Sequence, residues 1–120
     1  MDPLYQEHIL EHYKYPHNRR RMEDASIIQK GHNASCGDDL VLYLKWNGDR
    51  LEDISFEGFG CAISQSGASM LTDKIKGMPR STLEKFSPED MYTLYGVVIS
   101  SQRELCALLA YSTFREALAQ

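Results

Sequence analysis

Three cysteines, Cys36, Cys61 and Cys106, and one aspartate, Asp38, are the residues here whose types could do more than pack. An odd number of cysteines makes a poor disulfide framework, and in a reducing compartment the thiols stay free. Three thiolates and a carboxylate around one point would suit Zn²⁺ or an iron–sulfur cluster. A permanent structural zinc more often has four sulfurs, or three and a histidine. Aspartate is a harder, more exchangeable ligand for such a centre, so this set would suit a site that changes occupancy or frees a thiolate. Spacing alone leaves a second reading open. No CxxC pair is present, and a lone cysteine often serves as a small buried apolar residue.

The elements that must position these residues can be read from pattern. Leu40, Leu42, Leu44 and Trp46 alternate with Val41, Tyr43 and Lys45, which predicts a strand. Asn47-Gly48 is a hairpin turn signal, and Ile54 and Phe56 mark the returning strand, with Ser55, Glu57 and Phe59 on its other face. Ala25 to Lys30 reads as a weaker edge strand. Pairing around Asn47-Gly48 makes opposite residue numbers sum to about 95 or 96, which places Cys36 beside Gly60 and Cys61. Asp38 lies two residues from Cys36, so both side chains can share a face.

Helices are expected on either side of this meander. Asp2-Pro3 reads as an N-cap and first helical position, opening a helix through about Tyr13 that Pro16 stops. Ile63, Gly67, Met70, Leu71 and Ile75 recur at helical spacing, and Gly77 is a natural stop. Cys61 then falls at the start of that helix, where the amide dipoles favour a thiolate. Gly58 and Gly60 allow close backbone approach beside it. Ser81-Thr82-Leu83-Glu84, Ser87-Pro88-Glu89-Asp90 and Ser101-Gln102-Arg103-Glu104 each fit a helix start, the first and last as capping boxes. The last helix should run to about Ala119, with Cys106 in its second turn on the face of Leu109, Ala110, Thr113 and Ala117. The fold class is α+β, one domain over residues 1–120: a small antiparallel sheet of about three strands packed with helices.

Composition narrows the partners. In 120 residues, Lys plus Arg is 13 and Asp plus Glu is 17, for a net charge of −4. That balance argues against nucleic acid or an anionic membrane as the main partner. No apolar run approaches the ~20 residues of a bilayer span. The first residues show no basic segment followed by an apolar one, so a cytoplasmic location is expected and Asn33-Ala34-Ser35 is not read as a glycosylation site. The basic loop at 14–22, with Lys14, Arg19, Arg20 and Arg21, is expected to be solvated. His8-Ile9-Leu10-Glu11-His12 matches the H-x-x-E-H zinc-peptidase pattern, but such an enzyme needs a much larger fold, and a surface or capping role is expected instead. His32, four residues before Cys36, is within reach of the same loop, although a solvent-facing histidine is the commoner case.

Taken together the motifs resemble those of a known family. His12-Tyr13-Lys14-Tyr15-Pro16-His17-Asn18, Asn33-Ala34-Ser35-Cys36-Gly37-Asp38, Phe56-Glu57-Gly58-Phe59-Gly60-Cys61-Ala62-Ile63-Ser64 and Arg103-Glu104-Leu105-Cys106-Ala107 resemble, in order, the opening turn and three cysteine motifs of the NifU/IscU/SufU iron–sulfur assembly family. The likeness spans nearly the whole chain, with alanine where the first cysteine motif usually has proline. It implies an IscU/SufE-like fold with Cys36, Asp38, Cys61 and Cys106 as one metal site. It further implies sulfur received as a persulfide from a pyridoxal-phosphate cysteine desulfurase, and delivery to apo iron–sulfur proteins or carriers.

In the IscU branch the four positions hold a transient [2Fe–2S] cluster, and in the SufU branch they hold zinc and the protein is mainly a sulfur acceptor. Leu105 stands where IscU proteins have histidine, and Ile99-Ser100-Ser101-Gln102-Arg103 replaces their chaperone-read segment. These features, with Arg103 itself, look closer to SufU, whereas the short span from Cys61 to Cys106 lacks the usual SufU insertion. Cys36 is then the expected sulfur acceptor if zinc exchanges a ligand, Cys106 if the site builds a cluster. Arg103 would be a nearby cation that steadies thiolate charge. The rival reading is a zinc-stabilised interaction or regulatory domain that binds the desulfurase without carrying sulfur.

Overall fold

The computed structural model describes residues 6–120. The predicted cap at Asp2-Pro3 therefore lies outside the described residues, and helix α1 spans Glu7–Lys14. Three strands follow, β1 (Ile27–Asn33), β2 (Asp38–Asn47) and β3 (Arg50–Phe59), as one antiparallel sheet in the order β1-β2-β3. The edge strand is thus longer than its sequence suggests, running on to Asn33 because it pairs residue for residue with β2 down to Asp38. Helices α2 (Ala62–Ile75), α3 (Arg80–Leu83), α4 (Pro88–Tyr95) and α5 (Glu104–Leu118) complete the chain, the last preceded by a 3₁₀ turn at Ser101–Arg103.

The hairpin register differs from the predicted one. The turn residues are Gly48 and Asp49, with Asn47 opposite Arg50, and a bulge between Lys45 and Trp46 slides the pairing again, so that Asp39 faces Phe59. Gly48 takes φ +62°, the left-handed value a short hairpin turn needs at this position. Each extra residue in one strand shifts everything beyond it. Cys36 consequently lies past the paired end of β2, and Asp38 rather than Cys36 comes opposite the chain leading into Cys61.

One sheet face supplies Leu40, Leu42, Leu44, Ile54 and Phe56, all buried, to a core shared with Ile63, Leu71 and Ile75 of α2 and Phe114 and Ala117 of α5. Helix α2 is enclosed, packing against β3, α1, α4 and α5. Two of its polar residues are satisfied within the helix: Thr72 Oγ1 donates to Ala68 O at 2.8 Å and Ser66 Oγ to Ile63 O at 3.2 Å. The hydroxyl of fully buried Tyr95, on α4, lies 3.0 Å from Ile63 O and 2.9 Å from Ala107 O, tying α2 to α5. A side chain on Gly67 would collide with that hydroxyl, which is why α2 has glycine there.

The helix starts also differ from the expected ones. Ser87 forms the capping box, with Asp90 as its partner, and Gly96 closes α4 at φ +69°. Neither predicted box forms. Pro79 precedes α3, because backbone bonds from Leu51 to Met78 and from Arg80 to Asp49 pin that segment to the hairpin and start the helix before Ser81. Ser101 opens the 3₁₀ turn, while Glu104 is met by Tyr92 Oη at 3.3 Å. The basic loop is not simply solvated. Phe56 N donates to Asn18 O at 2.9 Å, Arg19 reaches Gly58 O at 3.0 Å, and Arg20 pairs with Asp53, so the loop covers the outer edge of β3.

Candidate metal and sulfur site

Each thiol is presented by a different kind of element. Cys36 stands on the exposed turn 34–37 between β1 and β2, closed by Gly37 N donating to Asn33 O at 2.9 Å, with Gly37 at φ +70°. Cys61 is the N-cap of α2, its Sγ accepting from Ser64 N at 3.4 Å. Cys106 is the third residue of α5, buried on the face it shares with Leu109, Ala110, Thr113 and Ala117. Counting the preceding 3₁₀ turn, this is the second helical turn, as the pattern predicts.

These segments converge. Cys36 Sγ lies 2.6 Å from Cys106 Sγ, both as free thiols, across 70 residues of sequence. Donor atoms of Cys36, Asp38 and Cys106 all lie within 4.8 Å of one another. Asp38, fully buried at the start of β2, accepts the Cys61 amide at 2.8 Å through Oδ1, while its Oδ2 is 3.9 Å from Cys61 Sγ. Cys61 therefore joins the group through Asp38 rather than through Cys36, the neighbour that the predicted register gave it. Gly60 leaves the room: a Cβ there would strike the Asp38 carboxylate.

Asn33 is a member the sequence reading missed. It is buried, and its Nδ2 is 3.4 Å from Asp38 Oδ2 and 3.5 Å from Cys106 Sγ, while its Oδ1 accepts Ser35 N at 3.2 Å. An asparagine two residues ahead of a turn amide is an Asx-turn signal, which could have singled it out. Its N–H is aimed at two ligand atoms that carry negative charge once deprotonated. Burial, together with the neighbouring Cys36 thiol, pushes the Cys106 thiol far above the usual cysteine range.

The remaining predicted residues are placed as follows. Arg103 is half-buried at the head of α5, three positions before Cys106. His32 is exposed on β1 and paired with Asp39 at 2.7 Å. The H-x-x-E-H histidines diverge: His8 Nε2 donates to Tyr95 O at 2.6 Å, and His12 Nδ1 meets Ser69 Oγ at 2.7 Å. His12, His17 and Asp73 form a second cluster within 4.8 Å, and it fastens the α1 turn to α2: His17 N donates to the same Ser69 Oγ, and His17 Nδ1 meets Asp73.

The donor set fits a thiophilic ion by type. Zinc–sulfur bonds of about 2.3 Å in a tetrahedron set sulfurs about 3.8 Å apart. The Cys36–Cys106 pair would have to open for both to bind one ion, and Cys36 is on the exposed turn whereas Cys106 is fixed in a packed helix.

This is a small α+β domain in which two thiols and a buried carboxylate converge at one end of the sheet, with a third thiol beside that carboxylate. The family model described as NifU-like N terminal domain matches residues 4–120, and the chain belongs to that family. It is 34% identical to the zinc-dependent sulfurtransferase SufU of Bacillus subtilis strain 168, over all of this chain and 92% of that protein. It is also 34% identical to the iron-sulfur cluster assembly scaffold protein IscU of Thermotoga maritima, over 96% of this chain and 92% of that protein. The crystal structure of FiSufU from Fervidobacterium islandicum AW-1 superimposes with a TM-score of 0.84 at 30% identity, covering 96% of both chains. A NifU-like N-terminal domain from Brucella abortus, at 18% identity and a TM-score of 0.79, shares the fold. Among the described residues, no helix is long and apolar enough to cross a membrane.

Proposed function

We propose that this chain is an iron–sulfur assembly protein of one domain that accepts persulfide sulfur from a pyridoxal-phosphate cysteine desulfurase and passes it toward apo iron–sulfur proteins or carriers. The observation that carries this reading is the meeting of the Cys36 and Cys106 thiols at 2.6 Å beside a buried carboxylate. Cys36, Asp38, Cys61 and Cys106 are the proposed ligands, for Zn²⁺ or for a transient [2Fe–2S] cluster as cargo. A bound cation would hold the thiols as thiolates and so keep a nucleophile ready at neutral pH.

Cys36 is the proposed acceptor because a desulfurase persulfide must reach it, and it is exposed where Cys106 is buried. Arg103 is assigned to steady the negative charge at the head of α5. Leu105 and Phe59, both more than half exposed and next to the two helix-borne cysteine segments, offer the apolar contact that a protein partner would cover.

The test is metal and acid-labile sulfide content of anaerobically purified protein, with desulfurase stimulation by single serine variants. About one zinc per chain without sulfide, or iron matched by sulfide, is expected, with stimulation lost in Cys36→Ser. Tight zinc with stimulation untouched by all three serine variants would overturn the reading in favour of a regulatory domain.

A further inference from the structure

We infer that Cys106 is a resolving thiol, which displaces sulfide from a persulfide on Cys36 and closes a Cys36–Cys106 disulfide. This rests on Cys36 being the acceptor. A persulfide has two sulfurs open to attack, the inner Sγ and the added terminal one. The inner sulfur on Cys36 is the atom that stands 2.6 Å from Cys106 Sγ. Displacement at sulfur runs in line, with entering and leaving sulfurs on opposite sides. Cys106 approaches from the buried side, so the terminal sulfur leaves on the side where Cys36 is exposed.

The step balances without an outside reductant. Cys36–Sγ–S⁻ and Cys106–SγH become Cys36–Sγ–Sγ–Cys106 and HS⁻. The bond from Sγ to the terminal sulfur breaks, the bond between the two cysteine sulfurs forms, and the thiol proton leaves on the sulfide. The terminal sulfur is reduced by two electrons, and the cysteine pair is oxidised by two. Asn33 Nδ2, 3.5 Å from Cys106 Sγ, can steady charge on the attacking sulfur. A dithiol reductant then restores both thiols by exchange and is itself oxidised to a disulfide. Among the described residues the thiol that meets Cys36 is that of Cys106, whereas Cys61 Sγ meets Asp38 and Ser64.

The experiment treats the full chain anaerobically with glutathione persulfide, removes excess reagent, and follows free sulfide and non-reduced peptides by mass spectrometry. Wild type should release close to one sulfide per chain and yield the Cys36–Cys106 linked peptide. Cys106→Ser and Cys106→Ala should keep a one-sulfur increment on Cys36 and release sulfide at least tenfold more slowly. Two variants, and linked peptide matched to sulfide in wild type itself, separate lost chemistry from lost folding. Wild type that retains its persulfide as long as the Cys106 variants, or a linkage through Cys61, overturns the inference and leaves Cys36 as acceptor. No sulfur on Cys36 in any form overturns the acceptor reading as well.

Discussion

At the scale of single residues, the site depends on polar groups that no cysteine count brings forward. Asn33 is the clearest. Its amide serves Asp38 and Cys106 from a buried position, and its carbonyl shapes the turn that carries Cys36. Asn33→Ala should cost about 1–3 kcal/mol of stability by removing the amide that meets Asp38 Oδ2 and the carbonyl that accepts Ser35 N. It should also weaken zinc binding roughly 10–100-fold, the usual effect of losing a group that supports metal ligands. Competition with a chelating dye and urea unfolding of the same sample would measure both, and unchanged zinc affinity would remove Asn33 from the site.

At the scale of elements, the question is what holds two helix starts and one turn at a common point. Tyr95 does part of this from the far side of the core, because its hydroxyl joins a carbonyl of α2 two residues past Cys61 to the carbonyl next to Cys106. Tyr95→Phe should destabilise the chain by about 1–2 kcal/mol and lower sulfur acceptance more than a surface change of equal cost. Thermal unfolding beside desulfurase stimulation checks this, and a stability loss with unaltered stimulation would make Tyr95 purely structural.

Much of this scaffold was legible. Alternation gave the central hairpin, glycine stops gave the end of α2, and helical spacing gave the buried face of Cys106. What pattern could not supply was register. A turn displaced by one residue and one extra residue in a bulge together exchanged Asp38 for Cys36 as the neighbour of Cys61, and bulges leave little trace in composition. Capping was misplaced for a similar reason: a helix start is decided by where tertiary bonds fix the preceding residues, as at Pro79, and not by the serine alone. The 70-residue contact between Cys36 and Cys106 is tertiary altogether, and only family resemblance anticipated it.

At the scale of the whole molecule, α1 is held to α2 by a fastening that senses acidity. Burial, and then the neighbouring His17, lower the pKa of His12. The Ser69 hydroxyl accepts the His17 amide and has its proton to give to the His12 ring, which suits a neutral imidazole. The unfolded chain takes up that proton more readily, so stability should fall as pH drops through the ordinary histidine range near 6.5. Urea midpoints at pH 7.5 and pH 5.5 should differ more for wild type than for His12→Gln, and equal differences would acquit this histidine. The distance along the chain between Cys36 and Cys106 has another consequence. A covalent link between them would close a loop of 70 residues, removing enough freedom from the unfolded chain to add about 4 kcal/mol of stability. The spent, disulfide-linked protein would then outlast the metal-free dithiol form of the same chain, and persist until a dithiol opens it.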